Sequence, residues 1–171
     1  MSRVIRPDSP SRLRTALLDS IRATLPALAT TGSEAQLRDR LAFILLVLRQ
    51  VQASIEPTAE AWERRSYWVK ADQFRRGWTW AATIADSLFG ALMTGDLVAA
   101  RQLAMTIEPH LPPSRATKRR DLSGLWAGSF QRLKDAQAPS APAAGGLAQG
   151  RNVQNNGSRP AGKGGDRKPN A

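Results

Sequence analysis

The chain has 171 residues, no cysteine and one histidine, and its 25 Lys and Arg residues against 14 Asp and Glu residues give a formal net charge of +11. The absence of cysteine excludes disulfides, thiolate nucleophiles and cysteine-ligated zinc or iron–sulfur sites. The longest nearly continuous apolar run, Leu41 to Leu48, is far shorter than the roughly 20 residues that span a bilayer. Because the N-terminal residues also lack the apolar core of a signal peptide, we expect a soluble, cytoplasmic protein.

The positive charge is concentrated in two segments. The connector, residues 112–120, has four basic residues and no acid, and the tail, residues 137–171, has five basic residues and one acid, so each carries +4. The connector cations are Arg115, Lys118, Arg119 and Arg120. Because concentrated positive charge attracts polyanions, this distribution favours a flexible arm that attracts polyanions over a sculpted binding cleft.

The first residues predict an arm followed by a helix. We expect residues 1–8 to form a flexible arm. Ser9 and Pro10 then mark a helix start, because serine caps the first amides and proline fits the first helical position. An apolar stripe at steps of three and four residues predicts a helix over about 9–30 that Pro26 bends or ends. The stripe comprises Leu13, Leu17, Ile21, Leu25 and Leu28.

The second helix is expected to be the centre of the fold. Ser33 and Gln36 have the spacing of a capping box, which predicts a helix over about 33–55. Its middle is apolar on nearly every side, as is typical of a helix that several others contact. Glu56 and Pro57 interrupt the pattern. Because the residue before a proline avoids the α region, a tight corner is favoured here over a kinked, continuous rod.

A long third helix is predicted over 58–93. Its apolar seam alternates steps of four and three residues. The seam comprises Tyr67, Ala71, Phe74, Trp78, Ala81, Ala85, Leu88 and Leu92. Gly77 and Gly90 each cost about 1 kcal/mol relative to alanine, which packing can offset. Off the seam stand four arginines and three tryptophans: Arg64, Arg65, Arg75, Arg76, Trp62, Trp68 and Trp80.

Two shorter helices complete the predicted fold. Asp96 caps a fourth helix over 96–108, and a fifth is expected over 121–136, where glycines make it weak enough to need a docking surface.

The tail has almost no large apolar side chains, so it cannot offset its ordering entropy and is expected to be disordered. The chain is therefore predicted to be all-α, with a compact antiparallel bundle of four main helices, a short fifth helix and a disordered C-terminal tail. The predicted domains are an arm (1–8), a bundle (9–136) and a tail (137–171).

The ionisable residues do not form a catalytic or metal-binding set. His110 is the one histidine; we expect it to be a solvated residue at a helix end, because a triad or a zinc site would need partners that the sequence lacks. Glu60, Glu63 and Asp72 have cationic neighbours about one turn away, and ordinary surface pairing is expected for them. No glycine-rich phosphate loop is present. We therefore expect a protein that is not an enzyme and that needs no cofactor or metal.

The tryptophans and arginines of the third helix carry the functional hypothesis. Trp78 lies on the apolar seam and is expected in the core. Trp62, Trp68 and Trp80 are either packed against other helices or exposed. Exposed indoles among arginines suit stacking on bases together with phosphate contacts, and the same composition suits a protein–protein hot spot.

We therefore expect a non-catalytic binding subunit that engages nucleic acid, either DNA or RNA, or a nucleoprotein assembly. The alternative is a protein–protein adaptor whose exposed aromatic side chains bind a partner, with the tail serving only solubility. The expected binding residues are Arg64, Arg65, Trp68, Arg75, Arg76, Arg115, Lys118, Arg119 and Arg120, with Trp62 and Trp80 as further candidates if they are exposed.

Overall fold

The structure, a computed structural model, describes residues 9–113 and 124–137. Within these ranges the chain forms seven α-helices and two 3-10 turns, and no β-strand. The helices are α1 (Pro10–Thr24), α2 (Glu34–Ala53), α3 (Ile55–Glu63), α4 (Trp68–Gly77), α5 (Thr79–Thr94), α6 (Leu97–Met105) and α7 (Ser129–Asp135). The 3-10 turns are Leu25–Leu28, after α1, and Glu108–His110, after α6. The predicted all-α fold is confirmed. The predicted arm, the predicted tail from residue 138 onward and the four connector cations lie outside the described residues.

Helix α2 lies at the centre of the fold, as its all-round apolar character predicts. It packs against α1, α5, α6 and α7. Seven of its residues are buried: Leu41, Ala42, Ile44, Leu45, Val47, Leu48 and Val51. The main bundle therefore consists of α1, α2, α5 and α6, with α7 packed on α2. None of the described helices has both the length and the apolar character needed to cross a membrane.

Helix α1 begins and ends where the sequence predicts. The Ser9 hydroxyl accepts a hydrogen bond from the Arg12 amide (3.4 Å), Pro10 occupies the first helical position, and Pro26 lies in the 3-10 turn that follows the helix. Helix α2 begins directly after Ser33, but the Ser33 hydroxyl makes no capping hydrogen bond. The predicted capping box is therefore not formed.

The predicted third helix, 58–93, is divided into α3, α4 and α5. The first boundary lies at Ser54, earlier than the corner expected at Pro57. A continuous helix would need the amide of residue 57 to donate to the Ala53 carbonyl, and proline has no such amide. Helix α2 therefore ends at Ala53, the residue whose carbonyl would have accepted the missing hydrogen bond. Pro57 falls in the first turn of α3, where its amide would have had no acceptor within that helix.

The second boundary is a tight turn, Arg64 to Tyr67, between α3 and α4. The Tyr67 amide donates to the Trp62 carbonyl (3.0 Å), and the Ser66 amide donates to the Glu63 carbonyl (2.8 Å). These two bonds form the Schellman pattern that ends many helices. Ser66 has a φ of 63°, the left-handed conformation that glycine usually supplies. Because no glycine marks this turn, the sequence did not predict it.

The third boundary separates α4, which ends at Gly77, from α5, which begins at Thr79. Gly77, which would destabilise the interior of a helix, thus lies at the end of α4, where that cost is smaller. The apolar seam is largely preserved across the break, although Tyr67 is 58% exposed because it lies in the turn before α4. The fully buried seam residues are Ala71, Ala81, Ala85, Leu88 and Leu92.

A turn at Gly95 and Asp96 joins α5 to α6. Gly95 has a φ of 77°, and the Asp96 amide donates to the Ala91 carbonyl (2.9 Å), which is the pattern seen at the end of α3. The Asp96 carboxylate accepts a hydrogen bond from the Ala99 amide (2.9 Å), as its predicted role as a cap requires. Helix α6 is shorter than predicted because its expected last turn is replaced by a 3-10 turn.

Helix α7 is shorter than the predicted helix over 121–136, and it depends on α2 for its start. The Asp39 carboxylate of α2 accepts hydrogen bonds from the amides of Gly128 (2.9 Å) and Phe130 (3.0 Å). A side chain from another helix thus satisfies donors that a helix start leaves without partners. Leu133 is fully buried. These contacts provide the docking surface that the weak sequence of this helix was expected to need.

Candidate binding site at the tip of a helical hairpin

Helices α3 and α4 form a hairpin that joins α2 at Ser54 and α5 at Trp78. The two helices pack chiefly on each other. The buried residues of α3 and α4 are Ile55, Ala59 and Ala71. Because two of these three side chains are single methyl groups, apolar burial contributes little to holding the hairpin in place. Polar and aromatic contacts have to position it instead.

Arg75 makes the main ionic contact between the two helices of the hairpin. Its guanidinium donates to both carboxylate oxygens of Glu56 (3.0 and 2.5 Å) and to Glu63 (2.5 Å). A bidentate arginine–carboxylate pair fixes orientation as well as charge. The hydrogen bond from Arg75 lowers the pKa of Glu56. The two carboxylates therefore hold Arg75 inside the hairpin, where it positions α4 and is not free to bind a ligand.

The other three predicted arginines differ in how available their charge is. Arg64 pairs with Glu60 (3.9 Å) and Arg76 pairs with Asp72 (2.7 Å), each within its own helix or the turn that follows it, as surface pairing predicts. In the described part of the chain, no carboxylate pairs with Arg65. The hairpin as a whole has five cations and four acids. The four arginines therefore do not form one continuous basic face, and Arg65 has the charge most available to a ligand.

A row of aromatic rings runs from the hairpin to the 3-10 turn that follows α6. The ring centroids are 4.9 Å apart for Trp62 and Phe74, 6.1 Å for Phe74 and Trp78, and 5.9 Å for Trp78 and Trp80. The Trp80 ring stacks on the His110 ring at 4.5 Å, with 5° between the planes. These separations are typical of favourable ring contacts. Trp62 and Trp80 are therefore half-buried packing residues, and one face of the otherwise exposed His110 ring is covered.

Arg14 of α1 lies beside this row. It is only 7% exposed, and it donates to the Ser54 carbonyl (3.1 Å) and to the Thr58 hydroxyl (2.9 Å). Its guanidinium carbon lies 5.0 Å from the Phe74 ring centroid and 5.9 Å from the Trp78 ring centroid, within the range of cation–π attraction. Burial lowers the pKa of Arg14. One side chain thus connects α1 to the first turn of α3 and to the end of α4.

The burial of Arg14 was not predictable from the sequence. The buried face of α1 includes Arg14, Leu18 and Ile21, whereas Leu13, which begins the predicted stripe, is 49% exposed. Arg14 does have the spacing of this face, four residues before Leu18. An arginine at such a position is normally solvated, so spacing alone could not identify it as buried.

The turn between α3 and α4 and the start of α4, residues 64–69, form what we call the hairpin tip. Tyr67, Trp68 and Val69 are 58%, 62% and 72% exposed, and Arg64 and Arg65 precede them in the turn. A shallow groove of about 490 Å³ lies beside Trp68. Its lining residues are Glu60, Glu63, Arg64, Ser66 and Trp68. Of the three tryptophans whose exposure the sequence left open, Trp68 is the exposed one.

The other candidate residues do not extend this site. In residues 9–113 and 124–137, no group of three His, Asp or Glu side chains is placed to hold a metal ion. The structure does not describe Arg115, Lys118, Arg119 and Arg120. No protein-family model matches this chain, and no curated protein and no solved structure matches it significantly. The function must therefore be inferred from the side chains of the chain itself.

Proposed function

We propose that this protein is a non-catalytic binding subunit that engages nucleic acid or a nucleoprotein assembly. The observation that carries this proposal is the hairpin tip, where two largely exposed aromatic side chains, Tyr67 and Trp68, adjoin Arg64 and Arg65. Aromatic faces stack on every type of base. Arginine contributes both phosphate contacts and planar stacking. The tip therefore combines the two contacts that a nucleic-acid strand offers.

The distribution of charge supports the same proposal. The described residues hold 14 Lys and Arg against 11 Asp and Glu, a net charge of +3. The segments 1–8, 114–123 and 138–171 hold the other 11 cations and three acids, a net charge of +8. Long-range attraction to a polyanion would thus come mostly from these segments. The hairpin tip would supply a short-range contact, and the connector cations would act as a basic clamp.

A second candidate function is a protein–protein adaptor. The observation that favours it is Val69, which is 72% exposed next to Trp68; an aliphatic side chain has no stacking role on a base. Tryptophan, tyrosine and arginine are also the residues enriched in protein–protein hot spots. In this alternative the hairpin tip would insert into an apolar pocket of a partner, and the basic segments would serve only solubility.

Titration of the full-length protein with labelled oligonucleotides tests the proposal. Fluorescence anisotropy would be measured with single-stranded and duplex DNA and RNA at about 50 and about 200 mM salt. We expect binding that weakens steeply as salt rises, because each neutralised phosphate releases condensed counterions. Absence of binding to all four ligands at about 50 mM salt, where non-specific electrostatic binding is strong, would contradict the proposal and favour the adaptor.

A matched pair of variants separates the tip from general charge. The double variant Arg64→Gln/Arg65→Gln should weaken binding and reduce the slope of log affinity against log salt by up to about 2, because two phosphate contacts are lost. The control, Arg12→Gln/Arg101→Gln, removes the same charge from exposed positions on α1 and α6 and should leave the slope nearly unchanged. Equal effects of the two double variants would indicate that the tip has no special role.

A further inference from the structure

We infer that the hairpin tip binds unpaired bases, so that the ligand of this site is single-stranded nucleic acid. This inference rests on the proposed function and specifies its ligand. Two features carry it: the environment of each tryptophan and the arrangement of charge around Trp68.

Trp68 differs from its neighbours in having its indole available. Trp62, Trp78 and Trp80 each have another aromatic ring within 6.1 Å, so their faces or edges are already engaged. Trp68 is 62% exposed and, within the described residues, is not paired with another aromatic ring. An exposed indole can stack on a base only if that base has left its own stack. Bases in a duplex are covered on both faces, whereas those of a single strand are accessible.

The charges around Trp68 determine which part of a nucleotide fits there. Glu60, Glu63 and Arg64 line the groove beside the indole. Both carboxylates are paired with arginines, Glu60 with Arg64 and Glu63 with Arg75, so these lining residues offer no unpaired cation to a phosphate. An uncharged base is therefore the part of a nucleotide that suits this groove. Arg65, in the adjoining turn, has no carboxylate partner among the described residues and suits the phosphate that follows the base. A single strand would therefore place its base against Trp68 and its phosphate near Arg65.

The net charge of the chain favours a nucleic acid over a protein as the occupant of the tip. A protein pocket for Trp68 would have to accept two adjacent arginines from a chain of net charge +11. A single strand instead supplies a phosphate for every base. Charge and stacking thus both favour a single strand as the ligand. The test below also shows what result would favour a protein partner instead.

The test compares single-strand and duplex affinities for four variants of the full chain. The ligands are a homopyrimidine strand of about 12 nucleotides, which suits typical single-strand site sizes, and a duplex of the same length. Trp68→Ala should weaken single-strand binding about 5- to 150-fold, the loss expected for one stacked base, and should leave duplex binding nearly unchanged. Because Trp68→Ala removes no charge, the salt slope should also stay unchanged.

Three further variants separate stacking from apolar contact. Trp68→Phe keeps an aromatic face and should retain most of the affinity, whereas Trp68→Leu keeps apolar volume alone and should lose about as much as Trp68→Ala. Val98→Ala is the matched control; Val98 lies on α6, outside the hairpin tip, is 71% exposed, and its alanine variant should bind like the unmodified protein. All four variants should keep the circular dichroism and melting temperature of the unmodified protein, since positions 68 and 98 are exposed.

The outcomes distinguish this inference from the proposed function. If single strand and duplex bind with equal affinity and the Trp68 variants bind like the unmodified protein, the inference is overturned while nucleic-acid binding stands. Equal loss of single-strand and duplex affinity in Trp68→Ala also overturns it, because the tip would then contact a feature that both ligands share. Absence of binding to either ligand at about 50 mM salt overturns both proposals.

Discussion

Helix α2 and the α3–α4 hairpin adjoin each other along the chain but are held in place by different physical contacts. Seven side chains of α2 are buried, among them Leu45 and Leu48 at 0% exposure. In α3 and α4 together, only three side chains are buried, and two of those three belong to alanines. The hairpin depends instead on the ion pairs of Arg75, on ring contacts and on Arg14. Apolar burial involves no titrating group and no charge for salt to screen, whereas partly exposed ion pairs depend on both pH and ionic strength.

This difference explains why the candidate site lies on the hairpin. A binding element must present side chains that the core does not use, and such elements are drawn from the less stable parts of a fold. The bundle fixes the base of the hairpin at Ser54 and Trp78. The tip is left free to expose Trp68. We therefore expect changes in the bundle to affect global stability and changes in the hairpin to affect local order.

The largest expected effect is that of Leu45→Asp in α2. The substitution would place a charge at a fully buried position without a partner, at a cost above about 4 kcal/mol, so the protein should unfold or become insoluble. The control, Val69→Asp, introduces the same charge at a position that is 72% exposed and should leave the melting temperature nearly unchanged. A soluble Leu45→Asp variant with cooperative unfolding would contradict the central position of α2.

Arg14 is expected to have the next largest effect, because it joins the bundle to the hairpin. Arg14→Ala removes the hydrogen bonds to Ser54 and Thr58 and two ring contacts and should lower the free energy of unfolding by about 1–3 kcal/mol. Arg14→Met keeps most of the volume without burying a charge and should cost less. Chemical denaturation would measure both variants. Equal losses would show that the guanidinium contacts matter less than packing does.

The two similar helix ends, at Ser66 and Gly95, allow a matched comparison of smaller size. Gly95→Ala would place a β-carbon in the left-handed conformation and should destabilise the protein by about 1 kcal/mol. Ser66→Gly relieves that strain but makes the unfolded chain more flexible, so the net stabilisation should be about 0.5 kcal/mol. Opposite signs in the measured free energies of unfolding are the expected result. A destabilising Ser66→Gly would indicate that the serine side chain stabilises the turn.

The smallest expected effect on global stability is that of Arg75→Gln. The melting temperature should change little, while amide hydrogen exchange in α4 should become faster because the contacts to Glu56 and Glu63 are lost. The control is Arg76→Gln, which removes an arginine that pairs only within α4 among the described residues, and it should leave exchange nearly unchanged. If both variants exchange alike, Arg75 does not hold the two helices together.

Acidification should reproduce the effect of Arg75→Gln. Because the folded-state pKa of Glu56 lies below its ordinary value of 4.5, the ionised carboxylate stabilises the hairpin at every pH above that value. This stabilisation is lost as the pH falls through the lowered pKa. The protection of the α4 amides, taken as observed exchange relative to the intrinsic rate at the same pH, should therefore fall below about pH 4.5 before that of the α2 amides does. Simultaneous loss of protection in both helices would contradict a separately stabilised hairpin.

The sequence predicted most of the bundle and only part of the candidate site. The all-α class, the central position of α2, the caps at Ser9 and Asp96 and most of the seam were predicted correctly. The division of the third helix at Ser66 was missed because a serine occupies the position where glycine usually marks such a turn. At the site, the surface pairs of Arg64 and Arg76 agree with the expectations, whereas the sequence left the exposure of Trp68 open.

By itself, the sequence determined the features that depend on residues close together along the chain. These are helical periodicity, apolar faces and the residues that begin or end helices. The tertiary structure alone decided which tryptophans are covered, because that depends on which rings meet across helices. It also decided the role of Arg75, whose carboxylate partners lie 12 and 19 residues away, and the burial of Arg14, whose acceptors lie 40 and 44 residues away. Helical periodicity cannot encode such pairs, since it relates residues only three and four positions apart.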